Sequence, residues 1–269
     1  MNGMLRVAVV LCAVAALGAC ATTRPAPAAA VSELAPTGKL RAAINFGNPV
    51  LASKDPATGE PRGVSVDLSR ELAKRLGVPL ELVTYTAAGK VVDAVKSGAW
   101  DVAYVAIDPA RGADMFQSPP YVVIEGAYLV PAASPIRSNA EVDRDGVRIA
   151  VGAKSAYDLF LSRELKHAKI VRAPTSPAVV DTMVAQKLEV AAGVKQQLEA
   201  DAKRVPGVRL LEGRFMVINQ AMAVPNGRDA GAKYVRDFIE DMKSSGFVAR
   251  ALQRHGIEGA AVAPAGDVR

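Results

Sequence analysis

Arg111 is the residue of this 269-residue sequence that is best suited to binding a small anion. It ends the segment 106–111, Ala-Ile-Asp-Pro-Ala-Arg, which directly follows a predicted strand. An arginine keeps its charge at physiological pH and can hold a carboxylate with two parallel hydrogen bonds. The alternative is a surface ion pair with Asp108 or Asp114, which is the more common role of an isolated arginine.

Two further loops could complete an anion site. The segment 152–155, Gly-Ala-Lys-Ser, places Lys154 and Ser155 before a predicted helix, where free N–H groups, the helix dipole and a hydroxyl attract anions. Ser155 alone would be an ordinary N-cap, and the segment lacks the glycine spacing of a phosphate-binding loop. The segment 46–51, Phe-Gly-Asn-Pro-Val-Leu, puts the ring of Phe46 and the amide of Asn48 on a proline-containing turn, or is simply a turn.

Histidine and cysteine are too scarce for most catalytic or metal chemistry. The chain has two of each, and both His167 and His255 fall at predicted helix ends. The 33 Lys and Arg residues against 27 Asp and Glu give a formal net charge of +6, without a long basic run. We therefore expect no nucleic-acid partner, no metal, no cofactor and no enzymatic activity. An enzyme would need a carboxylic acid in the site, for which Asp108 is the candidate.

The N-terminal residues resemble an export signal. Arg6 precedes an apolar run over 7–17, which is too short to cross a bilayer. The segment 17–20, Leu-Gly-Ala-Cys, resembles the bacterial lipobox, in which the cysteine is acylated and becomes the mature N-terminus; cleavage after Ala21 is the alternative. We expect a signal peptide at 1–19, lipid on Cys20 and a Pro/Ala-rich tether over 20–36. The protein would be periplasmic and anchored, with the outer membrane favoured by Ala21 after the cysteine.

Helices and strands must alternate along the rest of the chain to position these loops. Hydrophobic periodicity predicts helices at 65–76, 90–97, 156–165, 177–186, 230–245 and 247–255. It predicts strands at 40–46, 80–85, 102–107, 148–151, 169–172 and 189–192, and longer extended segments at 121–130 and 215–224. Two similar α/β units joined by extended segments predict a two-lobed α/β protein with a cleft between the lobes. Residues 257–269 are predicted to form a flexible tail.

Several motifs, taken in order and spacing, carry a family resemblance: Gly38-Lys-Leu-Arg-Ala, Gly63-Val-Ser-Val-Asp-Leu, Leu72-Ala-Lys-Arg-Leu-Gly, Val95-Lys-Ser-Gly-Ala-Trp-Asp, Arg111 and Phe116-Gln-Ser-Pro-Pro-Tyr. They resemble the family 3 solute-binding proteins, the amino-acid-type periplasmic receptors of ABC importers. The family fold is the type II periplasmic-binding-protein fold, in which two lobes, each a mainly parallel sheet flanked by helices, are joined by two hinge strands. The resemblance implies lobe 1 at 37–127 and 223–256, lobe 2 at 128–222, and hinges near 126–131 and 220–225.

The resemblance also implies roles for individual residues. Arg111 matches the arginine that holds the ligand's α-carboxylate, and Lys154 with Ser155 matches the polar pair that completes this grip. The loop that contains Phe46 and Asn48 matches the one that contacts the ligand's side chain.

Four of the implied ligand-binding positions depart from the family pattern. Asp108 stands where the family usually has a threonine, and Tyr104 and Ala106 replace small hydroxyl residues of the preceding strand. Val194 occupies the place of the aspartate that pairs with the ligand's α-ammonium. A buried ammonium without a counter-charge costs several kcal/mol, so the pattern favours a carboxylate that lacks an amino group.

Two charged residues leave the ligand class open. Lys154 would add a second positive charge and favour a dicarboxylate, whereas Asp108 could pair with an ammonium or neutralise Arg111. We expect a monomeric, lipid-anchored receptor that delivers a small solute to an ABC permease. The alternatives are an accessory protein to a periplasmic quinoprotein dehydrogenase and a dehydratase-like enzyme that acts on a cyclic carboxylate.

Overall fold

The computed structural model describes residues 25–266. Within them the helices are α1 (Ala28–Leu34), α2 (Val64–Leu76), α3 (Ala88–Asp93), α4 (Pro109–Gly112), α5 (Ala156–Glu164), α6 (Val179–Ala185), α7 (Lys195–Arg204), α8 (Asp229–Ser244) and α9 (Phe247–Arg254). The strands are β1 (Leu40–Asn45), β2 (Ser53–Lys54), β3 (Pro61–Arg62), β4 (Leu80–Tyr85), β5 (Val102–Ala106), β6 (Met115–Gln117), β7 (Val122–Pro131), β8 (Arg148–Gly152), β9 (Lys169–Ala173), β10 (Val190–Val194), β11 (Val208–Leu210), β12 (Met216–Pro225) and β13 (Ala261–Val262). None of these helices has the length and apolar character needed to span a bilayer.

Eleven of the thirteen described strands form one continuous sheet, whose main order is β4-β1-β5-β12-β7-β10-β8-β9. Strands β11 and β13 pair with β7, β6 pairs with β12, and β2 and β3 form a separate two-stranded sheet. Strand β1 pairs in parallel with β4 and β5, and β8 pairs in parallel with β9 and β10. The long strands β7 and β12 run antiparallel to each other and lie between these two parallel groups. Each group with its helices is one lobe: lobe 1 is built on β4-β1-β5 and lobe 2 on β10-β8-β9.

The long strands β7 and β12 pair with each other over only part of their length. The shared segment joins 122–126 of β7 to 216–220 of β12. Beyond it, β7 pairs with β10 of lobe 2 and β12 pairs with β5 of lobe 1. The segments 122–126 and 216–220 are thus the parts of β7 and β12 that pair with each other between the lobes, and the hinges near 126–131 and 220–225 stay a prediction.

Hydrophobic side chains of α2 show how the sequence pattern packs the helices onto the sheet. Val66, Leu68, Leu72 and Leu76 recur on one face of the helix and are buried. Gly77 then ends the helix in the left-handed conformation, with φ of 69°, which only glycine adopts without steric cost. The main hydrophobic core includes buried residues of both lobes and of the crossing strands.

The prediction of a tether over 20–36 is wrong for residues 28–34, which form helix α1. Leu34 is fully buried against α8, and the carboxylate of Glu33 accepts a hydrogen bond from the Gly231 amide at 2.8 Å, which caps the start of α8. The Arg228 guanidinium also donates to the Glu33 carbonyl at 2.9 Å. Alanine and proline composition alone concealed a helix that tertiary packing stabilises. The signal peptide, 1–19, and the lipidation residue Cys20 lie outside the described residues.

The predicted flexible tail is wrong for 261–264. Strand β13 pairs with 122–123 of β7, on the edge of β7 that β10 leaves open. The Lys243 ammonium donates to the Pro264 carbonyl at 2.8 Å, and Ala263 is buried. A two-residue strand held by backbone pairing has no side-chain periodicity, so the sequence pattern could not indicate it. Residues 267–269 lie outside the described part of the chain.

Candidate functional site

A cavity of about 40 Å³ lies between the lobes, at the carboxyl ends of the parallel strands. This volume holds roughly three water molecules. The lining side chains come from both lobes and from crossing strand β12: Asn45, Gly47, Asn48, Leu51, Ser65, Ala88, Tyr104, Val105, Ala106, Arg111, Ser155, Ala156, Tyr157, Ser176, Val194, Ile218 and Gln220. Six of the predicted site residues are among them, namely Asn48, Tyr104, Ala106, Arg111, Ser155 and Val194.

Arg111 is presented by the short helix α4. Asp108 caps this helix, because its Oδ1 accepts the Ala110 amide at 2.9 Å, and proline occupies the first helical position. The Arg111 side chain is 2% exposed. Its Nη1 donates to the Ala106 carbonyl at 2.9 Å, and its Nη2 donates to the Lys154 carbonyl of lobe 2 at 3.1 Å. Its Nε has no partner within the described chain.

The charge of Arg111 dominates the electrostatics of the cavity. Burial lowers the pKa of Arg111 to about 10, although the nearby Asp108 carboxylate acts in the opposite direction. The guanidinium is therefore still charged at neutral pH. Among the described residues that line the cavity, no other carries a formal charge. A buried cation surrounded by neutral groups favours an anionic ligand.

The start of helix α5 is capped from within. The Ser155 hydroxyl accepts the Asp158 amide at 3.0 Å, and Asp158 in turn accepts the Lys154 amide at 2.8 Å. The next two amides, of Ala156 and Tyr157, belong to the first turn and have no acceptor inside the helix. A ligand at this helix N-terminus can therefore accept hydrogen bonds from these two amides, whereas the Ser155 hydroxyl already serves as the cap.

Two hydroxyl residues of lobe 2 that were not among the predicted site residues belong to the site. Tyr157 and Ser176 both line the cavity beside Ser155. A Cβ on Gly152 would lie 2.8 Å from both the Tyr157 and the Ser176 hydroxyls. The absence of a side chain at Gly152 therefore leaves room for both hydroxyls. Burial raises the pKa of Tyr157, which keeps it a neutral donor and acceptor. Ser176 follows strand β9, so examining every strand end would have found it.

Tyr104 contributes its ring rather than its hydroxyl. The hydroxyl is 2.9 Å from the Ser69 Oγ, in the buried layer under α2. The ring meets that of Tyr121 edge to face, with centroids 6.0 Å apart. Burial raises the pKa of Tyr104 well above its usual value, so it stays neutral. The tyrosine thus fills space at the cavity instead of supplying a small polar group there.

Phe46 and Asp108 are predicted site residues whose side chains lie outside the cavity lining. Phe46 packs against the hydrophobic core, and the Lys54 ammonium lies 5.5 Å from its ring centroid. The Asp108 Oδ2 accepts the Arg163 Nη2 at 2.9 Å, in addition to the helix cap formed by its other oxygen. In this arrangement neither residue faces a bound solute.

Lys154 also directs its side chain away from the cavity. Its ammonium lies 2.8 Å from both carboxylate oxygens of Asp93 on lobe 1. The Lys154 backbone has φ of 57°, a conformation that is uncommon for a residue with a side chain. The side chain is thus paired with Asp93 and the carbonyl with Arg111, and Lys154 adds no second cation to the cavity lining.

Val194 lines the cavity at the end of strand β10, where it is 8% exposed. Among the described residues, the lining contains no carboxylate. Within 25–266 there is also no group of three or more His, Cys, Asp or Glu side chains that could hold a metal ion. The cavity can therefore bind an anion, but it offers no counter-charge to an ammonium.

The fold and the inter-lobe cavity define a two-lobed solute-binding protein. The chain belongs to the bacterial extracellular solute-binding proteins, family 3, which it matches over residues 40–258. No curated protein is significantly similar to it in sequence.

Solved structures of three proteins show the same fold. The L-cysteine solute receptor of Neisseria gonorrhoeae has 23% identity and a TM-score of 0.74, over 85% of this chain and 94% of that one. A mutant of ArgBP from T. maritima has 19% identity and a TM-score of 0.73, over 85% and 100%. The ancestral amino acid-binding protein AncCDT-1, a precursor of cyclohexadienyl dehydratase, has 22% identity and a TM-score of 0.70, over 83% and 98%. These similarities confirm the predicted two-lobed α/β fold.

Proposed function

We propose that this protein is the solute receptor of an ABC importer and binds a small monocarboxylate that lacks an α-ammonium group. The observation that carries the proposal is Arg111, a buried and charged side chain with a free Nε, in a cavity without a carboxylate. The family assignment supports the receptor role. One structural relative is a putative binding component of an ABC transporter from Wolinella succinogenes, complexed with lysine.

The hydrogen-bonding groups of the cavity match a carboxylate. A guanidinium has five N–H donors, and Arg111 uses one on each Nη for the carbonyls of Ala106 and Lys154. The N–H of Nε and one N–H on each Nη remain, so a carboxylate can accept two parallel hydrogen bonds from the guanidinium. The amides of Ala156 and Tyr157 can donate to the same anion from lobe 2. A solute held from both lobes would stabilise the closed form, which the permease then recognises.

The same cavity disfavours the two other ligand classes considered. By the family resemblance an α-amino acid would bring its ammonium beside Val194, and the lining offers no carboxylate to offset the desolvation of that ammonium. A dicarboxylate would need a second cation, and the Lys154 ammonium is bound to Asp93 outside the cavity.

The proposed location is the periplasm, with the chain acting as a monomer anchored through lipid on Cys20. The support is the sequence of the N-terminal segment and the extracellular character of the family. Because α1 is packed on the domain, the tether from Cys20 to Ala28 has eight residues and spans at most about 28 Å. The domain would then stay close to the membrane that holds its anchor.

A dehydratase-like activity has weaker support. It needs a carboxylic acid beside the substrate, and the Asp108 carboxylate is paired with Arg163 outside the lining. The receptor role needs no such group. An accessory role toward a dehydrogenase would rest on protein contacts instead, and would leave the cavity without a solute.

A thermal-shift screen of the purified protein tests the proposal. The panel contains lactate, pyruvate, benzoate, succinate, L-cysteine and L-lysine. A solute at a hundred times its Kd stabilises the fold by about 2.7 kcal/mol, which is a clear rise in Tm. We expect the rise with one or more monocarboxylates, and we expect Arg111→Ala to abolish it.

Two further variants sharpen the screen. Arg111→Lys keeps the charge but loses the two-pronged geometry, so binding should weaken by at least about tenfold. Arg70→Ala removes an arginine of α2 that is 60% exposed and should change nothing. Normal binding by Arg111→Ala would show that the solute sits elsewhere. A response to amino acids alone would exclude the ligand class proposed here, and a response to none of the panel would favour the accessory role.

A further inference from the structure

Two ion pairs connect the lobes close to the cavity. The Lys154 ammonium of lobe 2 lies 2.8 Å from Asp93 of lobe 1, and the Arg163 guanidinium of lobe 2 lies 2.9 Å from Asp108 of lobe 1. In both pairs the acid belongs to lobe 1 and the base to lobe 2. The facing edges of the lobes are thus complementary in charge.

We propose that Asp93, Asp108, Lys154 and Arg163 form a charge clasp that holds the lobes closed, whatever solute the cavity binds. The clasp goes beyond solute binding, because none of the four side chains lines the cavity. It sets how often the protein is closed on its own, and therefore how much of the closing a solute has to drive.

Lys154 couples the clasp to Arg111. The Lys154 side chain binds Asp93, while its carbonyl accepts the Arg111 Nη2 at 3.1 Å. Both contacts cross between the lobes, and both depend on the left-handed backbone of Lys154, with φ of 57°. An uncommon backbone conformation of this kind persists where surrounding contacts hold it. Opening the lobes would break both contacts at this one residue.

Gly89 makes the close approach of Lys154 possible. A Cβ on Gly89 would lie 2.7 Å from the Lys154 Cβ and 3.0 Å from its Cδ. Gly89 does not have a positive φ, so alanine would not strain the backbone there, and alanine is the better helix former in α3. The contact exists only between closed lobes. Gly89→Ala should therefore destabilise the closed form by a steric clash with Lys154, without removing a charge.

The clasp is exposed enough to be sensitive to salt. The side chains of Lys154 and Asp93 are 61% and 58% exposed, whereas in the second pair Arg163 is 45% exposed and Asp108 is 5% exposed. Exposed charges are screened over about 10 Å in 0.1 M salt and about 3 Å in 1 M salt. An exposed pair such as Lys154–Asp93 is individually weak, and Arg163 of the second pair is open to water on one side, so the clasp biases the lobes toward closure and still lets them open for a solute.

The distance between the lobes can be measured directly by double electron–electron resonance. Spin labels at Ser97→Cys on lobe 1 and Lys166→Cys on lobe 2 occupy exposed positions, in a chain with Cys12 and Cys20 replaced by serine. We expect a predominantly short distance in 0.05 M NaCl and a shift to longer distances in 1 M NaCl. No solute is added, so the result does not depend on the ligand class or on the importer.

Charge removal then separates the clasp from a general salt effect. In Asp93→Asn with Asp108→Asn, the ratio of closed to open molecules should fall about fivefold at low salt, and the salt dependence should flatten. Asparagine at 108 still caps α4, so the fold is preserved. The control Asp237→Asn removes an exposed pair with Lys233 inside one helix, and should leave the distances as they are.

Gly89→Ala should give the long distance at every salt concentration. The proposal is overturned if the parent protein is already open at low salt. It is equally overturned if the Asp93→Asn, Asp108→Asn protein has the same distance distribution as its parent. Circular dichroism of each variant checks that the helices are retained.

Discussion

Arg111 is held by two backbone carbonyls and not by a carboxylate. The carbonyls of Ala106 and Lys154 fix the direction of the guanidinium but leave its charge uncancelled. Asp108, the acid whose charge acts on Arg111, uses one oxygen for the α4 cap and the other for Arg163. A solute anion therefore meets a positioned cation that has no competing counter-ion in the cavity.

Val194 is the residue at which ligand class can be switched. Val194→Asp places a carboxylate where the lining has none, and an ammonium in the cavity then gains a partner. We expect the affinity for L-cysteine or L-alanine, measured by isothermal titration calorimetry, to rise at least about tenfold, which corresponds to about 1.4 kcal/mol. The variant should bind monocarboxylates more weakly, because the new charge repels them.

Val194→Asn is the matched control for this switch. It has nearly the same shape as the aspartate variant and no charge, so it should not bring the gain in amino-acid affinity. Equal affinities for the two variants would show that the missing counter-charge is not what excludes an ammonium.

The site could be predicted from the sequence where strand ends determine it. Arg111 and Asn48 follow predicted strands, Val194 was implied by the family resemblance, and the structure brings all three to one cavity. The direction of Lys154 could not be predicted, since it follows from a positive φ and from a partner on the other lobe. Gln220 was missed for a related reason, because only the pairing of β12 with β5 brings it to the cleft.

At the scale of the elements, periodicity identified the helices that cover the sheet. Helices α2 and α8 bury a regular apolar stripe, and their observed ends differ from the predicted ones by one residue at most. Helix α7 has no such stripe, because only Leu198 and Asp201 of its ten residues are buried. Its residues are good helix formers, but without an apolar stripe the hydrophobic periodicity does not indicate a helix there.

Helix α1 provides a direct test of whether the segment before the domain is a tether or part of the fold. Leu34→Ala should lower the free energy of unfolding by about 3 kcal/mol, because Leu34 is fully buried against α8. Urea unfolding followed by circular dichroism measures the change. A flexible tether would give no loss. The control Ser32→Ala alters an exposed residue of the same helix and should stay within about 0.5 kcal/mol of the parent.

At the scale of the whole molecule, lobe 1 is assembled from distant parts of the chain, and Asp101 connects them. The buried Asp101 carboxylate accepts hydrogen bonds from the Arg41 amide at 3.0 Å and from the Nε and Nη2 of the Arg41 guanidinium at 2.9 Å each. It also accepts a hydrogen bond from the Arg228 Nη1 at 2.8 Å, and Arg228 belongs to the part of the chain that returns to lobe 1 after lobe 2. Since Arg228 also donates to Glu33 of α1, one carboxylate holds together the start, the middle and the end of lobe 1.

Removing this carboxylate should destabilise the molecule in a pH-dependent way. Burial by itself raises the pKa of Asp101, but the hydrogen bonds from Arg41 and Arg228 outweigh it and hold the pKa below its usual value. A carboxyl whose pKa is lower in the folded state stabilises the fold above its unfolded pKa, and this stabilisation is lost as the pH falls through the folded pKa. Asp101→Asn should therefore cost about 3 kcal/mol at pH 7, because two arginines lose their counter-charge. In urea unfolding, the difference from the parent should be nearly the same at pH 5 and smaller at pH 3, where the Asp101 carboxyl is largely protonated in the unfolded chain. A difference that stays constant down to pH 3 would mean that the shape of the side chain, and not its charge, holds lobe 1 together.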